Sequence, residues 1–196
     1  VIHFDPVPKP PGFEEAAVMG QQWLQAHPDA VRPRDYWSPF RSVLAEGFRN
    51  LCAYSAMYEP SGQVDHFVSW DEDPSLAYRW ENYRYASGWL NASKKNLRSS
   101  DLLDPLIVQD GWFEISLPSL QLLVSASIPP TIRAKAELLL IRLHLRDDER
   151  VIRQRRVWLE MYEKGDLNLS GLRAMAPLIA DAVEKQAKNR PPLSVA

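Results

Sequence analysis

Between positions 64 and 95 the chain reads VDHFVSWDEDPSLAYRWENYRYASGWLNASKK, and this stretch decides the fold. Val64, Phe67 and Val68 are strand formers, and the turn signal Pro60-Ser61-Gly62 stands just before them, so a short hairpin is expected within residues 51–69. Asp71-Glu72-Asp73-Pro74 then reads as an acidic loop, and Trp80 to Leu90 as the approach to a short helix that carries Asn91 and the lysines behind it. The order strand, strand, helix gives an α+β class. Neighbouring side chains on a strand point to opposite faces, so Asp65 and His66 can serve one site only at a twist or a strand end. Asn82 follows His66 by sixteen positions and Asn91 follows Asn82 by nine. Cutting a phosphodiester needs a base for water, a cation for the phosphate charge and groups that hold both in register. An Asp, a His and two Asn can supply these, around an oxygen-rich seat for a hard cation such as Mg²⁺. Singly, each has an ordinary reading: a hydrogen-bonded structural histidine, turn and cap asparagines, an exposed carboxylate.

Asp-His at a strand end, an Asn in a Trp-x-Asn-x-Arg context and Asn-x-x-Lys at a helix start resemble the HNH (ββα-metal) nuclease motif. The form is Asp-His…Asn…Asn, also seen in the nicking domain of RNA-guided CRISPR nucleases. The resemblance implies a DNA endonuclease in which His66 is the general base and Asp65 and Asn91 ligate Mg²⁺ or Mn²⁺. It gives Asn82 the task of holding the loop and the His66 backbone in place. Asn91 stands where many relatives have a third histidine. Leu51-Cys52-Ala53-Tyr54-Ser55 looks like the Cys-x-x-Cys turn of many HNH proteins, with Ser55 in place of the second cysteine. Cys52 is the chain's only cysteine, so no structural zinc is expected and Trp80, Tyr83, Tyr85 and Trp89 must hold the fold by packing. Leu102-Leu103-Asp104-Pro105, followed by two apolar segments and a Leu-rich helix, is similar to the HNH effectors of Septu and retron anti-phage systems. That likeness implies an ATPase or sensor protein as a partner. A catalytically inactive adaptor on the same fold, holding nucleic acid or docking a partner, is the alternative.

Residues 1–50 read as a proline-rich arm (Pro6, Pro8, Pro10, Pro11) and two helices, Phe13 to His27 and one from Ser38-Pro39 to about Asn50. Residues 51–105 would be the ββα-metal core. Residues 106–196 read as a hairpin (Trp112 to Leu117, Leu120 to Val124) and a helical extension. Its helices are Ile132 to Leu145, one capped by Asp147-Asp148-Glu149 that runs to about Lys164, and a last one from Ser170 to about Lys188. The whole is expected to form one compact unit.

The 196 residues carry a formal charge of −2, which argues against nucleic-acid binding by the chain as a whole. From Arg79 to Arg98, however, five cations (Arg79, Arg84, Lys94, Lys95, Arg98) face one anion, Glu81. Arg84, Lys94, Lys95 and Arg98 are therefore candidate phosphate contacts, with a solvated helix face as the plain alternative. Arg142, Arg146, Arg150, Arg153, Arg155 and Arg156 form a second basic stretch, read as internal ion pairs or as a DNA track. Trp70, beside the acidic loop, is a core tryptophan by default and a base-stacking surface otherwise. A phosphate-binding Gly-rich loop, a Gly-x-Ser-x-Gly elbow and a His-Glu-x-x-His helix are all missing from the sequence, which sets aside nucleotide hydrolases, common esterases and zinc proteases. No membrane span or secretory leader is read, and a reducing, cytoplasmic setting is the expectation. Oligomeric state has no sequence signal.

Overall fold

In the computed structural model, which describes residues 1–94 and 97–189, β1 (Gln63–His66) ends in the Asp-His pair. Its partner is β2 (Tyr83–Ala86), antiparallel, with Asp65 opposite Arg84 and His66 opposite Tyr83. Helix α3 (Gly88–Lys94) follows one residue later and carries Asn91. The expected hairpin within residues 51–69 does not form. Residues 51–58 instead close on themselves, through the Cys52 amide on the Met57 carbonyl and the Ala56 amide on the Cys52 carbonyl, both 2.9 Å. Ala56 takes a φ of 54° to do so, and only an isolated bridge joins Leu51 to Tyr58. The Ala53 amide then donates to the Tyr85 carbonyl at 2.8 Å, so this turn abuts β2. The stretch read as the approach to a helix is a 3-10 turn, Trp80–Asn82, and then the missing strand.

Around this sheet the N-terminal residues form a wall. The proline arm lies extended on the body, with the Trp80 indole N–H donating to the Val7 carbonyl at 2.8 Å and His3 Nδ1 bonded to the Val108 carbonyl at 2.7 Å. Helix α1 (Phe13–Ala26) begins with Phe13 set edge-on against Trp80 and Tyr83, at 5.0 and 5.7 Å between ring centroids. Gly20 lets α1 lie on the Tyr78 ring, where a Cβ would meet ring carbons at 2.5 Å. The second helix is shorter than its apolar stripe suggests. A 3-10 turn at Ser38–Phe40 leads into α2 (Arg41–Gly47), and left-handed Arg49 and Asn50 (φ 57° and 56°) turn the chain out of it.

The C-terminal half contains β3 (Phe113–Ser116) paired with β4 (Gln121–Val124), as the spacing predicts. Helices α4 (Pro130–Arg142) and α5 (Glu149–Glu163) follow, the latter capped by the Asp148 carboxylate on the Arg150 amide. The single last helix expected from Ser170 is two, α6 (Leu169–Met175) and α7 (Pro177–Asn189). Proline at 177 brings no N–H, and Ala176 leaves helical geometry at φ −153°. The extension is tied to the site-bearing part at three places. Gln154 donates to the Tyr58 carbonyl (3.1 Å), the Tyr58 amide to the Met175 carbonyl (2.8 Å), and the Arg150 guanidinium lies 4.1 Å from the Trp89 ring centroid on α3.

The second basic stretch is mostly committed to this architecture. Arg155, 1 % exposed, donates to the carbonyls of Leu120, Arg146 and Leu145 at 2.7–3.1 Å, and burial pushes its pKa down to about 10. Arg146 pairs with Glu137, Arg150 with Asp148 and Arg153 with Glu149. A continuous DNA track is thereby replaced by a carbonyl clamp and internal ion pairs. No helix among the described residues is long and apolar enough to cross a membrane.

Candidate active site

Asp65 and His66 are the last two residues of β1, and both line one cavity of about 650 Å³. Its other walls are residues 31–41, the Ser69-Trp70-Asp71 loop, and Gly88, Asn91, Ala92 and Lys94 of α3. Three of the four residues singled out by the motif therefore share a cavity. The fourth, Asn82, lies behind it.

His66 is 5 % exposed and is caged by aromatic rings, Trp37, Tyr83 and Trp70, with centroids 4.6, 4.9 and 5.1 Å away. Its Nε2 sits 2.8 Å from the Ala77 carbonyl, an acceptor only, so the proton of the neutral ring belongs on Nε2. Nδ1 then carries the lone pair and has no hydrogen-bond partner among the described residues. Burial pushes the imidazole pKa down to about 4; the Ala77 carbonyl and Asp65 oppose this, while Lys94 and Arg32 add to it. The ring is neutral at physiological pH, the form a general base must take.

Asp65, 2 % exposed, accepts from the Tyr54 hydroxyl at 2.6 Å and from Lys94 Nζ at 2.9 Å on each oxygen. Lys94 Nζ also donates to the His66 carbonyl at 2.5 Å, which fixes the strand end from the α3 side. The Lys94 ammonium is only 5 % exposed, and its burial lowers its pKa, with Asp65 holding it up. Tyr54 is raised well above the ordinary phenol range, first by burial and then by the Asp65 charge.

Asn82 is 6 % exposed and makes three side-chain hydrogen bonds. Oδ1 accepts from the Val68 amide (2.8 Å), and Nδ2 donates to the carbonyls of Val68 (2.9 Å) and Leu76 (3.1 Å). Its own carbonyl accepts from the Phe67 amide at 2.8 Å. Asn82 pins the segment that leaves His66 and is not among the residues that line the cavity. Asn91 is half-buried, and its Nδ2 reaches Gln63 Oε1 at 3.3 Å, while its amide oxygen accepts no hydrogen bond among the described residues.

The candidate phosphate contacts divide. Arg84 is 4 % exposed, with a bidentate pair to Asp104 (2.8 and 2.6 Å) and further bonds to the Glu81 and Tyr83 carbonyls. It is a buried structural cation and reaches no solvent-borne phosphate. Lys94 is likewise withdrawn from the surface into the Asp65 pair. Arg98 is exposed, and Lys95 lies outside the described residues.

Sequence reasoning missed Tyr54, Arg32 and Arg41. Tyr54 carries no signal beyond its type. Arg32 and Arg41 line the cavity, exposed, 33 and 24 residues upstream of Asp65. The Lys94–Asp65 contact was within reach: on a helix Lys94 and Asn91, three apart, share a face.

Cation chemistry here rests on few donors. Among the described residues no three His, Cys, Asp or Glu side chains cluster as a metal site. Asp65 and the Asn91 amide oxygen remain, and Mg²⁺ is commonly held by one or two protein oxygens with water and phosphate oxygens completing the shell. Asp65 already holds a cation, so the position suits positive charge, and a divalent ion would contend with Lys94 for the same two oxygens. No protein-family model matches the chain, and no curated protein matches it.

Proposed function

We propose that the chain is a metal-dependent endonuclease of the HNH type that hydrolyses phosphodiester bonds in DNA. The observation that carries this reading is the state of His66. A neutral imidazole, oriented by the Ala77 carbonyl, lines a cavity with a carboxylate and an asparagine, and among the described residues neither its Nδ1 nor the Asn91 amide oxygen has a hydrogen-bond partner. A water that gives its proton to Nδ1 attacks phosphorus, and the carbonyl on Nε2–H stabilises the imidazolium that results. Asp65 and Asn91 would hold the divalent ion, which supplies charge stabilisation for the phosphate and the departing ester oxygen. Until the ion takes the Asp65 oxygens, Lys94, bridging Asp65 and the His66 carbonyl, keeps base and carboxylate in register. Asn82 keeps the loop beyond His66 from pulling the ring away. The likeness of Leu102–Pro105, with its two apolar segments and Leu-rich helix, to anti-phage effectors supplies the setting: a defence nuclease in the cytoplasm, triggered by an ATPase or sensor partner.

One observation favours a second reading, a binding module without chemistry. Lys94 fills the seat on Asp65 that a metal would take. Calorimetric titration with Mn²⁺ separates the two. The nuclease reading expects saturable binding by the wild type, strongly weakened in Asn91→Ala, and DNA cutting that chelator stops and Mn²⁺ restores. An absence of both binding and cutting supports the module.

A further inference from the structure

The cavity has a second set of features that the hydrolytic residues do not use. Arg32 and Arg41, both exposed, line its mouth and form no ion pair or side-chain hydrogen bond among the described residues. Asp65 is paired with Lys94, and two further carboxylates, Asp35 and Asp71, line the cavity with the two guanidiniums; Asp35 is turned to the Trp37 and Ser38 amides and the Ser38 hydroxyl, so among the described residues neither guanidinium is tied to a carboxylate. Half-buried Trp70 forms part of the wall, braced by Trp37 (centroids 6.4 Å apart, planes 20° from parallel) and by the edge-on His66 ring. The Arg32 guanidinium already lies 5.6 Å from the centroid of the Trp70 ring. An exposed guanidinium with no carboxylate to hold it can swing and close over a flat group placed on that ring.

We propose that this cavity receives one unstacked nucleotide of a single-stranded polynucleotide, with Trp70 as the stacking face for the base and Arg32 and Arg41 as the phosphate-holding cations. The inference rests on the nuclease reading for its purpose, though not for its geometry. The volume, about 650 Å³, falls within the range of pockets that enclose a small ligand. Asp65 and His66, 2 % and 5 % exposed, line this cavity, so a phosphate that reaches them is one that has entered it. A duplex holds its phosphates on a wide, stacked cylinder, and its bases cannot meet Trp70 unless a nucleotide is extruded. A single strand offers base face and phosphate together, the combination that aromatic platforms with basic flanks select.

Fluorescence anisotropy in EDTA, where no cutting occurs, tests this with the full chain and labelled probes of about 12 residues. The probes are oligo-dT, oligo-U and a DNA duplex. The wild type should bind at least one single strand roughly tenfold tighter than the duplex, with tryptophan quenching; the two single strands identify the preferred sugar. Arg32→Ala with Arg41→Ala should flatten the salt dependence, log K against log salt, by about 1.4, two phosphate contacts' worth for a single strand. Trp70→Ala should weaken binding about tenfold and Trp70→Phe less, since a smaller ring still stacks. Duplex bound as tightly as either strand, or a salt slope unchanged in the double variant while its melting temperature holds, overturns the proposal. If the wild type binds strands in EDTA yet never cuts with Mg²⁺, the nuclease reading fails and this one stands. If it cuts and the arginine and Trp70 variants bind normally, the reverse holds.

Discussion

The two sheets have the same size and the same antiparallel pairing, yet they are built on opposite principles. In β3–β4 burial alternates along β3, with Phe113 and Ile115 inward and Glu114 and Ser116 half-exposed; Glu114 meets Lys185 of α7 at the surface. Nothing charged is buried there. In β1–β2 seven of the eight residues are buried, and Asp65, His66 and Arg84 are among them. Each of these costs desolvation, which hydrogen-bonded partners only partly offset, and well-packed apolar residues of like size are often as stable or more so. A sheet made for stability alone looks like β3–β4. The polar interior of β1–β2 is what the proposed hydrolysis would require of a sheet, and the difference can be attacked residue by residue.

Asp65→Ala should do the most damage, about 3–5 kcal/mol by chemical denaturation, because it leaves the Lys94 ammonium buried without its counter-charge. Asp104→Ala should follow at about 3 kcal/mol for the same reason at Arg84, a loss near zero meaning that Arg84 finds water when unpaired. Tyr54→Phe removes one hydrogen bond to the Asp65 carboxylate and should cost about 1.5–3 kcal/mol while sparing the fold; thermal melts would read it. On the other sheet Glu114→Ala breaks an exposed pair and should stay within about 0.5 kcal/mol of the wild type. A large loss there would erase the contrast between the sheets.

What could be read in the sequence follows the same division. The β3–β4 hairpin was legible because its two strands are apolar segments adjacent in the chain and flank Pro118-Ser119. Strand β2 was not, because Tyr83-Arg84-Tyr85-Ala86 is buried on both sides and so shows no alternation, and its partner lies across the acidic loop. The turn at Pro60-Ser61-Gly62 was recognised, yet the residues before it, 51–58, close a local loop instead of pairing with β1 in a hairpin. Asp65, His66 and Asn91 were placed at one cavity by type and spacing. Arg84 and Lys94 were misjudged, since charge alone suggests a solvated cation and only the fold reveals a buried carboxylate opposite each. Arg32 and Arg41 reach the cavity through tertiary contact, which no local pattern announces.

Whether the buried polar end of β1 performs the proposed hydrolysis is read from single-turnover cleavage of labelled oligonucleotides in Mg²⁺ or Mn²⁺. Removing a general base should slow cutting about 10²- to 10⁴-fold in His66→Ala, at unchanged strand binding and with a cooperative melt that shows the variant folded. Equal rates for His66→Ala and the wild type would contradict the account, and would return His66 to the role of a histidine that packs against Trp37 and Tyr83.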